Sequence, residues 1–164
     1  MSNSKKLAQA GILIAVGVVC STFSIPIGAA KVFPVQHFIN VLAGVTLGPF
    51  YGVSMAFVTS LLRVMIGTGS LLAFPGSMCG AFLCGTLYKH TEKTSLAFLG
   101  EIVGTGIIGA LLAYPVASIV MGREAALFGF IVPFGISSVA GAGISLVFIT
   151  ALKKTGLQII GGIK

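Results

Sequence analysis

The chain has 164 residues, of which 56% are hydrophobic and 8% charged, with a net charge of +7 and a mean hydropathy of +1.10. Soluble domains carry about three times that share of charge, and a domain this small has too little interior to hide so much apolar surface. A water-soluble fold is excluded, and the chain reads as an integral membrane protein whose apolar surface faces lipid.

Only helices and closed barrels satisfy the backbone inside a bilayer. A barrel would show short alternating segments, whereas this sequence shows long unbroken apolar runs. Six spanning helices are expected, forming an all-α bundle over residues 1–164 as a single transmembrane domain, without internal repeats.

Span one covers residues 6–23, preceded by Lys5 and Lys6. That pattern imitates a signal peptide, but five further spans behind it favour a retained helix. Its stretch "LAQAGILIAVGVV" sets Gly11 and Ala15 four apart, a small-residue groove that packs within the protein or docks a helix of another. Span two, residues 34–48, lies in "FPVQHFINVLAGVTLGPFYG". It carries Gln36, His37 and Asn40, with Gly44 and Gly48 continuing their stripe. Span three, residues 50–66, ends near Arg63, and the following "GTGSLLAFPGSMCG" brings in Ser70 and Ser77.

Span four covers residues 76–88, span five 96–121 and span six 126–152. Spans two and four are short for a full crossing of about 20 residues, so tilted, bent or partly re-entrant segments are expected there. Span five adds Tyr114 and Ser118, and span six adds Ser137 and Ser138. Glu101 falls in the inner half of span five, one turn before Thr105. Lys89 or Lys93 is its expected partner there, with coupling to another protein as the alternative.

Basic residues set the orientation. With both termini cytoplasmic, Lys5, Lys6, Lys89, Lys93, Lys153, Lys154 and Lys164 lie inside, while Lys31, Arg63 and Arg123 lie outside. The positive charge is therefore a topology and lipid-headgroup signal, and no nucleic-acid partner is indicated. Cys20, Cys79 and Cys84 form an odd set without C-x-x-C spacing, which suits buried thiols better than a disulfide frame or a zinc site.

The sequence holds no Walker loop, no H-E-x-x-H and no G-x-S-x-G. Its three acids are Glu92, Glu101 and Glu124, two of them in expected loops, so no buried carboxylate pair is available for catalysis. The expectation is a non-enzyme without a cofactor, and any uphill transport must draw energy from a partner.

In the expected topology, Gln36, His37, Asn40, Arg63, Ser70, Ser77, Tyr114 and Ser137 meet at one depth, in the outer half of the bilayer. Intramembrane ionisable groups are costly and point to function, and a largely apolar pocket with a few placed polar groups is the usual small-molecule site. The plainer reading is that Arg63 snorkels while His37 and Asn40 bridge helices. Taken jointly, the cluster favours a pocket, with Phe33, Phe38, Phe74 and Tyr114 offering ring surface. Within it, His37 and Asn40 are expected to line the pocket, and Gln36 is the one expected to be structural.

Three segments, "FPVQHFINVLAGVTLGPFYG", "SLLRVMIGTGSLLAFPGSMCGA" and "GEIVGTGIIGALLAYPVA", resemble the ThiW family of substrate-binding S-components of energy-coupling factor (ECF) transporters. That resemblance implies import of the thiazole precursor of thiamin, 4-methyl-5-(2-hydroxyethyl)thiazole, across the cell membrane. It also implies partners: a transmembrane coupling subunit and two cytoplasmic ATPases, onto which the S-component docks and topples. The group's first-helix A-x-x-x-A motif falls on Gly11 and Ala15, with glycine replacing the first alanine. An S-component for another vitamin and a solitary permease are the alternatives. The loop "IPIGAAKVFP" would close over the pocket, stiffened by Pro26 and Pro34 and hinged at Gly28. Arg63 would organise the outer loops beside a neutral ligand, or pair with a phosphorylated one.

Overall fold

Prolines and glycines punctuate the helices. Pro34 and Pro49 each occupy the first turn of a helix, where a missing N–H costs nothing. Gly48, at φ +87°, makes the tight turn between those two helices. The computed structural model describes residues 2–27 and 30–154. Gly28, the expected hinge, and Lys164 lie outside the described residues, as does the side chain of Lys31.

Six helical rods follow in order: α1 (Asn3–Val19), α2 (Pro34–Leu47), α3 (Pro49–Met65), α4 (Ala73–Thr91), α5 (Thr94–Val120) and α6 (Ile131–Lys154). Between α1 and α2 the chain forms two short antiparallel strands, β1 (Ile25–Ile27) and β2 (Ala30–Val32). Ile25 pairs with Val32 and Ile27 with Ala30. The expected loop is thus a backbone-paired hairpin.

Three rods are long and apolar enough to cross a membrane: α1 with its extension to Thr22, α5 and α6. Of the two spans expected to be short, α2 is indeed 14 residues, while α4 runs for 19. Rod α5 is not regular. Residues Gly104–Gly109 and Val116–Val120 are π-helical, and Pro115 precedes the second of these segments. Such wide turns recur at functional sites.

Helix α4 is the hub, packing on α2, α3 and α5, while α2 also packs on α6. Small residues allow this closeness. A Cβ on Gly104 would come within 2.6 Å of the Cys79 carbonyl, and one on Gly44 within 2.9 Å of the Cys84 sulfur. The interior is consequently small and polar: Ser60, Thr59, Asn40, Glu101, Thr105, Ser138 and Ser145 are fully buried. Large apolar side chains face outward instead, among them Val19, Phe50, Ile119, Val132 and Val147. This is the reverse of a soluble protein and matches lipid as the surrounding solvent.

Helix α1 lies at the edge, touching mainly α3 and α2. Its inward contact is Gly17 against Thr59 and Ile39, whereas Gly11 is exposed and has nothing within 4 Å of a Cβ placed on it. Ala15 is exposed on the same helix. At one end of the bundle Lys6, Tyr51, Tyr88, Lys89 and Glu92 come together, with Lys153 over the Tyr88 ring. The α4–α5 turn carrying Lys93 is at this end too. The starts of α2, α4 and α6 and the end of α3 meet at the opposite end.

Candidate functional site

At that opposite end lies a cavity of about 460 Å³. Helix α2 contributes Gln36 and His37, preceded by Phe33, and α3 contributes Arg63. The α3–α4 connection supplies Thr68, Gly69 and Ser70, and the first turns of α4 supply Gly76 and Ser77. Thr105 of α5, Arg123 beyond it, and Phe130, Phe134 and Ser137 complete the wall. Of the residues singled out from the sequence, Gln36, His37, Arg63, Ser70, Ser77 and Ser137 line this one space.

Asn40 and Tyr114 are placed elsewhere. Asn40 is fully buried one turn below His37, behind the wall. Tyr114 is half-buried in α5, and its carbonyl accepts from the Ser118 hydroxyl at 2.9 Å. It is absent from the cavity wall, so the shared depth does not bring it to the same face. Phe38 and Phe74 are spent on packing, edge to face with Phe148 and Phe57. Phe33, Phe130 and Phe134 provide the ring surface in their stead.

Glu101 corrects the reading most. It is not near Lys89 or Lys93 but at the centre of the polar cluster, fully buried. Its Oε1 accepts from His37 Nδ1 at 2.9 Å, Asn40 Nδ2 at 3.1 Å and Thr105 Oγ1 at 3.0 Å. Counting depth from the ends of spans fails because α2 has 14 residues and α5 has 27. The fourth and seventh residues of the short helix therefore meet the eighth of the long one. Space for the carboxylate comes from Gly80, where a Cβ would lie 2.6 Å from Glu101 Oε2 and collide with Thr105 Oγ1.

The network has a direction. Arg63 Nη1 donates to Gln36 Oε1 at 3.0 Å, Gln36 Nε2 to Asn40 Oδ1 at 3.5 Å, and Asn40 Nδ2 onward to Glu101. Asn40 Nδ2 uses its second hydrogen on the Ser77 carbonyl at 3.3 Å, and the single Thr105 hydroxyl proton is shared between Glu101 Oε1 and the Gly76 carbonyl, both at 3.0 Å. With an ionised carboxylate as acceptor, His37 Nδ1 must carry the proton, and the ring is held so that Nε2 is the free nitrogen.

Gln36 is not a bystander, because it joins the cavity wall to this network. Ser137 Oγ accepts from the Phe33 backbone N–H at 2.9 Å, tying the hairpin's exit to α6. The Arg63 guanidinium lies 4.3 Å from the centre of the Phe33 ring. Glu101, Thr105, Arg123 and Phe134 are members of the cluster that sequence reasoning missed. The signal for the first two was present: a lone carboxylate within a span, followed by a hydroxyl at i+4, calls for intramembrane partners.

Among the described residues no group of three or more His, Cys, Asp or Glu could hold a metal ion, and the three cysteines are unpaired.

A family model described as "Thiamine-precursor transporter protein (ThiW)" matches residues 7–155. Among solved structures, one described as "Structure and mechanism of the S component of a bacterial ECF transporter" superposes with a TM-score of 0.71 at 23% identity. The match covers 94% of this chain and 97% of that one, and at this identity it speaks for the fold. No curated protein matches the chain. Since the family model spans nearly all of the membrane-protein sequence, the chain belongs to the ThiW family of thiamine-precursor transporters.

Proposed function

We propose that this protein is the substrate-binding S-component of an ECF transporter and captures 4-methyl-5-(2-hydroxyethyl)thiazole from outside the cell. All six rods cross the plasma membrane in this reading, with both termini in the cytoplasm. The end bearing Lys6, Lys89 and Lys153 is then cytoplasmic, in keeping with the enrichment of basic residues on that side. The cavity opens to the exterior, beneath the hairpin.

The observation that carries the reading is the cavity itself. Its volume falls in the range of about 300–1,000 Å³ usual for small-molecule sites, and its wall combines three phenylalanine rings with a few polar groups. A heteroaromatic ring stacks on Phe33 or Phe134. The ligand hydroxyl donates to His37 Nε2, with Ser77 as a further partner. A transmembrane coupling subunit and two cytoplasmic ATPases supply the energy, consistent with a sequence lacking a Walker loop. The exposed small-residue face of Gly11 and Ala15 serves as the docking contact.

The test is to purify the chain from cells and identify the co-purifying small molecule by mass spectrometry. A thiazole is the expected result. Riboflavin, biotin or another vitamin would move the protein to a different substrate class. Uptake that persists without coupling subunits would establish a solitary permease instead.

A further inference from the structure

The charge balance of the cavity does not suit a purely neutral ligand. Two arginines, Arg63 and Arg123, line it, and no aspartate or glutamate does. Arg63 is 2% exposed. Buried cations are normally paired with a carboxylate, because removing a charge from water is expensive. Among the described residues no carboxylate lies within ion-pair distance of Arg63. Glu101 is reached from Arg63 only through the amides of Gln36 and Asn40; its Oε1 accepts from His37, Asn40 and Thr105, and its buried Oε2 has no hydrogen-bond partner among the described residues.

The partners Arg63 does have are neutral. They are Gln36 Oε1, the Thr68 carbonyl at a long 3.5 Å, and the Phe33 ring. Its Nε is buried and has no acceptor. Ser70 and Ser77 line the same space, and among the described residues neither hydroxyl makes a hydrogen bond. The cavity also exceeds what a monocyclic alcohol fills.

We propose that the cavity contains an anion subsite, formed by Arg63 and Arg123 with Ser70 and Ser77, that takes a phosphate monoester on the ligand's side chain. A phosphate presents several acceptor oxygens to guanidinium forks and hydroxyls together, and such charge-assisted bonds are about twice as strong as neutral ones. A carboxylate has fewer oxygens and a flatter shape for the same donors. The preferred cargo is then the phosphate ester of the thiazole alcohol, in which a protonated phosphate oxygen replaces the esterified hydroxyl as donor to His37 Nε2, an inference that rests on the thiazole reading above and narrows it.

The experiment uses the full chain in lipid nanodiscs and measures binding of three probes by calorimetry: the thiazole alcohol, its phosphate monoester and inorganic phosphate. The monoester is expected to bind about tenfold or more tighter than the alcohol, the effect of one added charge-assisted contact. Inorganic phosphate should compete with it, and the advantage should shrink in both Arg63→Gln and Arg123→Gln. Arg123 is exposed, so its variant decides the matter even where Arg63→Gln does not fold, and Arg63→Lys retains charge as a control. Equal or tighter binding of the alcohol overturns the proposal, as does an ester advantage unchanged in Arg123→Gln. Should neither thiazole bind while inorganic phosphate binds through Arg123, the subsite stands and the thiazole reading falls. If none of the three binds, both fall.

Discussion

Replacing Glu101 tests the centre of the site. Its Oε1 collects three donors at 2.9, 3.1 and 3.0 Å. Side-chain hydrogen bonds within membranes average about 0.6 kcal/mol, so three neutral ones would amount to about 2 kcal/mol. An ionised acceptor roughly doubles each, giving about 4 kcal/mol for the set. Glu101→Gln keeps an oxygen for the donors but loses the charge, and should cost about 2 kcal/mol.

Glu101→Ala removes the acceptor entirely, yet the three donors are not equally exposed to its loss. Thr105 retains the Gly76 carbonyl and Asn40 retains the Ser77 carbonyl. Only His37 Nδ1 is stranded, and its ring loses the contact that orients Nε2. Ligand affinity should therefore fall about tenfold in Glu101→Ala, the equivalent of one hydrogen bond of about 1.4 kcal/mol. Thermal unfolding in nanodiscs reads the stability, and titration with the thiazole alcohol reads the affinity. If Glu101→Ala matches the unmodified protein in both, the carboxylate is not the organising acceptor.

Further variants separate wall from foundation. His37→Ala, on the wall, should weaken ligand binding about tenfold with a small change in stability, whereas Asn40→Ala, beneath it, should lower the melting temperature more and the affinity less; parallel calorimetry and unfolding of the two check this. Gly141→Ala places a Cβ against the Pro34 carbonyl, 2.7 Å from His37 Cβ and 3.0 Å from the Phe38 nitrogen. Backbone cannot yield there, so a loss of about 1–3 kcal/mol is expected, read as a lower melting temperature together with weaker binding. The double variant Gly11→Leu, Ala15→Leu should leave ligand affinity of the isolated protein unchanged while reducing uptake in cells that carry the coupling subunits; normal uptake would place the docking face elsewhere.

Much of the architecture was legible because lipid imposes a simple rule. Apolar runs bounded by Pro34, Pro49 and the Lys-rich turns translate directly into rods, and the ends agree within a few residues except at the start of α6. The hairpin was not legible: "IPIGAAKVFP" reads as a stiffened loop, and strand pairing over three residues leaves no periodicity to detect. Most polar residues assigned to one depth do share a cavity. Depth alone could not tell the inward face from the outward one, which misplaced Tyr114, nor could it register a helix as short as α2 against one as long as α5. That mismatch hid Glu101. Arg123 entered the sequence reading only as an outer-side charge that sets orientation, and Phe134 carries no polar signal that would single it out.

One carboxylate oxygen binds side chains from α2 and α5, while Asn40 and Thr105 extend the same junction to the α4 backbone at Ser77 and Gly76. Such a rivet has a mechanical meaning. Sliding one of these helices past another would break several bonds at a single point, around a carboxylate that is fully buried. If the protein turns in the membrane, as the proposed S-component role requires, α2, α4 and α5 would move as one body and carry the cavity wall with them.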